Sequence, residues 1–130
     1  SVRQLFRDDF DTFLHKAEVV KNSKIVFEKV AIGKLERDME DSILIAAQSA
    51  NDLLNINGVE ATFVLTLWGG KVHMSGRSLG NISVQLILEK LGGGGHLTSA
   101  GTQIEGRTLE QVEDMLVEAI DEYLKEGEEE

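Results

Sequence analysis

Four consecutive glycines, Gly92–Gly95, followed at once by His96 form the stretch of this sequence best suited to chemistry. Glycine has no Cβ, so a glycine loop can adopt left-handed conformations and let a ligand approach its backbone N–H groups closely. A helix starting just beyond the run would add free N–H donors and the positive end of a helix dipole. The stretch therefore predicts a structured loop that binds an anion, with a flexible linker as the alternative.

A second set of polar residues lies on a predicted β-hairpin. Residues 59–68 and 71–77 flank Gly69 and Gly70, which suit a two-residue hairpin turn. With that turn, Trp68 would pair with Lys71, and alternation would put Ser75 and Arg77 on one face. The same face would carry His73, Thr62, Thr66 and Trp68, and the opposite, apolar face would carry Leu65, Leu67, Val72 and Met74. A guanidinium among small residues suits phosphate oxygens or a base edge, and an ordinary solvent-exposed sheet face is the alternative.

The charge distribution limits the class of ligand. The net charge is −10, but residues 105–130 carry 11 of the 23 acidic side chains and only 2 of the 13 basic ones. The rest of the chain is nearly balanced, and it lacks the basic stripe expected of a protein that binds long nucleic acids. We therefore expect a small anionic ligand, bound by a domain of residues 1–127 that is followed by an acidic tail of residues 128–130.

Hydrophobic periodicity predicts a single α/β domain, in which about four helices flank a central mixed β-sheet containing the hairpin. The first helix would span residues 4–21, residues 25–32 would form a strand, and a second helix would span residues 43–54. Asn81 and Gly92 are expected to cap the two ends of a third helix, and Thr108 with Gln111 to form a capping box that opens a fourth. The residues that recur at helical spacing and form the apolar stripe of the first helix are Phe6, Phe10, Phe13, Leu14, Ala17 and Val20.

Composition and spacing exclude several classes of site. The sequence has no cysteine, which excludes disulfides and thiolate metal sites and fits a reducing cytoplasm. No apolar run approaches the roughly 20 residues that a membrane-spanning helix needs. The three histidines, His15, His73 and His96, do not stand beside acidic residues at metal-ligand spacing. We therefore expect this chain itself to bind no metal ion and no cofactor.

Three motifs taken together resemble a known family. They are the SGRSLGN run of residues 75–81, the pair Val84 and Gln85, and the LGGGGHLTS run of residues 91–99. These runs are similar to the signature of the DHH-associated domain, the GGGH-motif domain at the C-terminal end of DHH-type phosphoesterases. Among the branches of that family, the sequence is most similar to the cyclic-di-AMP phosphodiesterases of the GdpP type. The order and length of the elements agree over essentially the whole chain.

The resemblance implies a division of labour between two domains. A preceding DHH domain, absent from this chain, would hold two metal ions, usually manganese, that activate a water to attack the phosphodiester. This domain would bind the cyclic or linear dinucleotide, would be inactive alone, and would lie in the cytoplasm, where a membrane anchor outside this chain could accompany it. A homodimer is also compatible. The implied substrate-binding residues are Ser75, Arg77, Ser78, Gly93, Gly94, Gly95, His96 and Thr98.

Two other functions remain open at this point. One is the nucleic-acid-binding domain of a nanoRNase or a RecJ-like exonuclease, although the near-neutral body disfavours long substrates. The other is a dimerisation module in which the glycine run only shapes the fold.

Overall fold

Helices and strands alternate along the chain and assemble around one sheet. The computed structural model describes the backbone of residues 2–129 and the side chains of residues 10–128. The elements are α1 (Val2–Lys21), β1 (Lys24–Val26), β2 (Val30–Asp38), α2 (Ser42–Leu53), β3 (Ala61–Trp68), β4 (Lys71–Ser78), α3 (Val84–Glu89), β5 (Gly94–His96), β6 (Ser99–Ile104) and α4 (Leu109–Glu129).

The sheet has six strands in the order β1-β2-β3-β4-β6-β5. Only β2 and β3 run parallel, and every other neighbouring pair is antiparallel. The predicted α/β class and central mixed sheet are therefore confirmed. The proposed boundary at residue 127 stays a prediction, since α4 extends to Glu129 and Glu130 lies outside the described residues.

Alternation along the strands divides the core between the two faces of the sheet. Phe63 and Leu65 point toward α3 and α4, where Ile87 and Leu116 are also buried. Val64 points to the other face, where α2 and the buried Val19 of α1 cover it. Because helices cover both faces of β3, all of residues 61–66 are buried.

The hairpin of β3 and β4 has the register predicted from its turn. Trp68 pairs with Lys71, and Gly69 and Gly70 both have positive φ, at 61° and 77°. Positive φ at both central residues gives the turn whose twist matches that of the strands. The expectation that Thr62 shares an open polar face is wrong, however. Its side chain is fully buried under α2, and its hydroxyl donates to Ala50 O at 2.7 Å.

Thr66 shows the same departure from the prediction. It is also fully buried, and its hydroxyl donates to Leu35 O at 2.8 Å. A threonine can satisfy its hydroxyl with a backbone carbonyl, so it is compatible with a buried face. The open polar face therefore begins at β4 rather than at β3.

The single strand predicted for residues 25–32 is in fact two antiparallel strands. β1 and β2 are joined by a turn in which Phe27 and Glu28 have φ of 52° and 69°. Such values normally call for glycine or asparagine. The sequence therefore carries no turn signal at this point, and the predicted strand continued across the turn.

The apolar stripe that indicated α1 is largely exposed over the described side chains. Phe10, Phe13, Leu14 and Val20 are 47–68% exposed, whereas Val19, which is not part of the stripe, is fully buried among the described side chains of the helix. Ala17 is exposed as well, and Phe6 lies outside the described side chains. Helical spacing identified an amphipathic helix here, but the apolar face that it marked does not face the core.

The caps of the last two helices were predicted with mixed success. Ser83 rather than Asn81 caps α3, because its Oγ accepts from Leu86 N, whereas Asn81 donates to Glu60 Oε1. The capping box of α4 is confirmed: Gln111 N donates to Thr108 Oγ1 at 3.1 Å, and Thr108 N donates to Gln111 Oε1 at 2.9 Å. None of the helices described here is both long enough and apolar enough to cross a membrane.

Candidate functional site

An open part of the sheet lies beside α2. This helix packs over β2, β3 and the near side of β4, and the outward side chains of β6 and β5 are half-buried or exposed. A cavity of about 480 Å³ lies between α2 and the glycine run on this face. It is lined by Ile43, Ala46, Thr66, His73, Met74, Ser75, Gly92, Gly93, Gly94, Gly101, Thr102 and Gln103.

The strand register places the predicted polar residues in rows across this face. Arg77 pairs with Ser99, and Ser99 in turn pairs with His96. Directly paired residues share a face of the sheet. The two motifs that lie 19 positions apart in the sequence, at Arg77 and at His96, are therefore two strands apart in space, roughly 10 Å across the sheet.

The next row contains the smallest residues of the face. Ser75 pairs with Gly101, and Gly101 pairs with Gly94. With two glycines in the row, the backbone of β6 and β5 is open to a ligand from this side. A third row carries His73 and Gln103, one pleat further from Arg77.

The guanidinium of Arg77 is a cation that is available to a ligand. Its Nη1 donates to Gly76 O at 2.8 Å, which uses only one of its five N–H donors. Partial burial lowers the pKa of this guanidinium from its ordinary value, but the group stays charged at neutral pH. No carboxylate among the side chains of residues 10–128 forms an ion pair with it. Its charge is therefore not neutralised within the described part of the chain.

Three glycines of the run are required by the fold itself. Gly92 does not cap α3 as expected, because Lys90 is the C-cap; with φ of 84° it lies in the turn beyond the helix and donates to Glu89 O. A Cβ on Gly93 would lie 2.4 Å from Gly101 O, and a Cβ on Gly95, whose φ is 145°, would lie 2.6 Å from Ala100 Cα. These contacts leave no room for a side chain.

Gly94 is the exception within the run. Its φ is outside the left-handed region, and a Cβ there would have no heavy atom within 4 Å. Since Gly94 borders the cavity and shares the row of Ser75, nothing within the described chain explains the missing side chain. A ligand that approaches this backbone closely would explain it.

The helix expected just after the glycine run does not exist. β5 and β6 form a hairpin instead, with Leu97 and Thr98 at its turn. The prediction that a helix dipole and the free N–H groups of a helix start help to bind the anion is therefore wrong. The glycines pair with β6, and this pairing, rather than a helical cap, fixes the loop.

The structure does not bring every predicted site residue together. Ser78 lies on the opposite face of β4 and is 6% exposed; its hydroxyl donates to Leu97 O and accepts from Gly80 N. Thr98 is exposed at the hairpin turn, where its carbonyl accepts from Ser78 N. Through these contacts both residues hold the hairpin of β5 and β6 against β4.

Sequence reasoning missed the residues that complete the cavity. Ile43 and Ala46 form its helical wall, and Gly101 and Gln103 lie on its floor. Period-two alternation from Ser99 to Gln103 was a usable signal for β6. It was overlooked because a helix was expected just beyond the glycine run.

The described residues offer no group of three or more Asp, Glu or His side chains placed to hold a metal ion. The site is therefore a surface of one arginine, hydroxyls, a histidine, an amide and bare backbone. Such a set can bind and orient an anion.

Residues 24–126 match the DHHA1 domain. The chain belongs to the DHHA1 family. This match confirms the resemblance drawn from the motifs.

The DHHA1 domain is also similar in sequence to curated proteins. It is 43% identical over 125 residues to "Cyclic-di-AMP phosphodiesterase PdeA" of Listeria monocytogenes, covering 95% of this chain and 19% of that protein. It is 41% identical over 128 residues to "Cyclic-di-AMP phosphodiesterase GdpP" of Geobacillus thermodenitrificans, covering 97% of this chain and 19% of that protein.

The DHHA1 domain spans about a fifth of the length of these curated relatives. A solved structure of an exopolyphosphatase-related protein from Bacteroides fragilis has the same fold, with a TM-score of 0.75 at 21% identity. The alignment covers 86% of this chain and 34% of that one. The fold thus recurs as one part of longer proteins.

Proposed function

We propose that this DHHA1 domain is the substrate-binding part of a phosphodiesterase that hydrolyses cyclic dinucleotides such as cyclic-di-AMP. The observation that carries the proposal is the environment of Gly94. The fold does not require a glycine there, and Gly94 borders the cavity. It lies in the row of the sheet next to that of Arg77, whose charge is not neutralised in the described part of the chain. The names of the two curated relatives described above supply the chemical class of the ligand.

The chemistry of the face fits a phosphodiester. Arg77 provides a planar fork of donors that can bind two phosphate oxygens at once. Ser75 and the nearby Ser99 provide hydroxyls, and the exposed His96 can donate to a third oxygen. The open backbone at Gly94 allows the phosphate to approach without a steric barrier.

The reaction itself would depend on a second domain. The family resemblance implies a preceding DHH domain that holds two metal ions, expected to be manganese, and the described residues of this chain do not fit such ions. In this account the DHHA1 domain binds and orients the dinucleotide but does not cleave it. The expected setting is the cytoplasm, with any membrane anchor carried elsewhere in the longer protein.

Titration of the chain with cyclic-di-AMP by calorimetry tests the proposal. Arg77→Ala should weaken binding by about 2 kcal/mol, or roughly 30-fold, because a hydrogen-bonded charge is lost from the phosphate. The matched control is Arg107→Ala, which removes the same charge from an exposed turn before α4. Equal affinity for the Arg77 variant and the wild type would place the ligand elsewhere.

The same titration separates the alternatives. Tighter binding of the linear diadenylate or of a short oligoribonucleotide would favour a nanoRNase-like or exonuclease-like role. Binding of none of these ligands, together with a dimer in sedimentation, would favour a dimerisation module.

A further inference from the structure

The cavity has two chemically different ends, and the proposed phosphate site occupies only one of them. Ser75 and Gly94 line the first end, and Arg77 lies on the adjoining row of the sheet, just beyond the residues that line the cavity. His73 and Gln103 lie at the second, on the row that follows Ser75 along the sheet. Two residues along a strand span about 7 Å, which matches the separation between the phosphate and the base within one nucleotide.

The N-terminal half of α2 forms an apolar wall at the second end. Thr62 contacts Ala50 through its hydrogen bond, so the C-terminal half of the helix lies over the Arg77 row. Ile43 is about two turns earlier in α2, roughly 10 Å away, which brings it over the His73 row. Ile43 is 39% exposed and lines the cavity together with His73.

The charges at this end disfavour a phosphate. The next pair on the same face is Lys71 and Glu105, whose side chains form an ion pair at 3.1 Å. Lys71 is therefore already paired, and this ion pair offers no net positive charge to a second anion nearby. An uncharged, planar group is the better occupant of a space between an isoleucine and an imidazole.

Gln103 provides the polar contact for such a group. Its side chain is exposed on the cavity floor and forms no hydrogen bond with other side chains or backbone in the described part of the chain. A glutamine amide both donates and accepts, and it can match the N6 amino group and N7 of adenine at once. Guanine presents two acceptors, O6 and N7, on that edge, so the amide can match only one of them.

We infer that the end of the cavity between Ile43, His73 and Gln103 binds a nucleobase and favours adenine over guanine through the Gln103 amide. This inference rests on the proposed function, and it adds the specificity determinant and the orientation of the ligand. The phosphate lies toward Arg77, and the base lies toward Gln103 with one face on the His73 ring.

The experiment compares cyclic-di-AMP and cyclic-di-GMP as calorimetric ligands of the chain. The wild type should bind cyclic-di-AMP about tenfold more tightly, a ratio at the lower end of what one bidentate base contact gives. Gln103→Ala should bring the ratio close to one. Gln103→Arg should reverse it, because a guanidinium matches O6 and N7 of guanine. Gln85→Ala is the matched control, since Gln85 is on α3 and is hydrogen-bonded to Glu89.

A second pair of variants tests the stacking contact separately. His73→Ala should weaken both ligands by about tenfold without changing their ratio, whereas His73→Phe should retain the affinity, because any flat ring stacks on a base. Intact binding with an unchanged ratio in Gln103→Ala would overturn the inference and leave the proposed function standing. Failure of the wild type to bind either ligand would overturn both.

Discussion

Two neighbouring glycines should respond in opposite ways to the same substitution. Gly95→Ala should destabilise the fold, because φ of 145° is disfavoured for an L residue and the new Cβ would lie 2.6 Å from both Ala100 Cα and Ser99 O. Gly94→Ala should leave the fold intact, because its φ is ordinary and nothing lies within 4 Å of its Cβ. Only the second substitution isolates the effect on a ligand.

The magnitudes follow from the backbone and the contacts. A residue held in a glycine-only region costs about 1–3 kcal/mol, and the overlap with two backbone atoms adds about 1–3 kcal/mol. We expect Gly95→Ala to lower the free energy of unfolding by about 3 kcal/mol, or the Tm by about 10 °C. Gly94→Ala should be neutral or slightly stabilising, by up to about 1 kcal/mol, because alanine restricts the unfolded chain.

The assay combines urea unfolding with titration of cyclic-di-AMP. Gly94→Ala should weaken binding by about 2 kcal/mol, or roughly 30-fold, since its methyl group would occupy the space that the phosphate uses. The control is Gly127→Ala on α4, another glycine whose Cβ would have nothing within 4 Å. Wild-type affinity in a fully folded Gly94→Ala would refute the assignment of this backbone to the ligand.

Two further predictions concern stability. Burial alone would raise the pKa of Glu113, but hydrogen bonds and charges from Lys24 and Lys34 outweigh it and lower the pKa below 4.5. The stabilisation from this carboxylate is therefore present above pH 4.5 and lost as the pH falls through the lowered pKa. Glu113→Gln should lower the free energy of unfolding by about 2 kcal/mol at pH 7, and in urea unfolding the variant should lose less stability on acidification than the wild type. An identical pH dependence in the two proteins would contradict this. Thr108→Ala removes the acceptor of the capping box and should lower the unfolding free energy by about 1 kcal/mol, whereas an unchanged urea midpoint would show that the cap contributes nothing.

The sequence was sufficient wherever a local rule dictated the geometry. Gly69 and Gly70 set the register of their hairpin, and that register placed Ser75 and Arg77 on the face that borders the cavity. The capping box at Thr108 likewise depends only on residues three positions apart. Such features need no knowledge of the tertiary fold.

The failures occurred where tertiary packing decides the outcome. Thr62 and Thr66 look like surface residues by alternation, but α2 covers them and backbone carbonyls accept from their hydroxyls. The turn at Phe27 and Glu28 contains no glycine that would indicate a turn in the sequence. The cavity combines α2 with β4 and β6, and the spacing of residues in one segment cannot show which helix lies over which strand.

The glycine run illustrates the limit most clearly. Its composition predicts an anion loop, but four glycines look alike in sequence. Only the contacts distinguish Gly93 and Gly95, which pack against β6, from Gly94, whose missing side chain the fold does not require.

Amide chemical shifts during titration with cyclic-di-AMP report directly on whether this face binds the dinucleotide. We predict that the largest shifts are those of Ser75, Arg77, Gly94 and Gly101, which form adjoining rows on one face of the sheet. Gly127 on α4 should change little. An absence of shifts at millimolar ligand, or shifts confined to another surface, would contradict the claim that this face binds the dinucleotide.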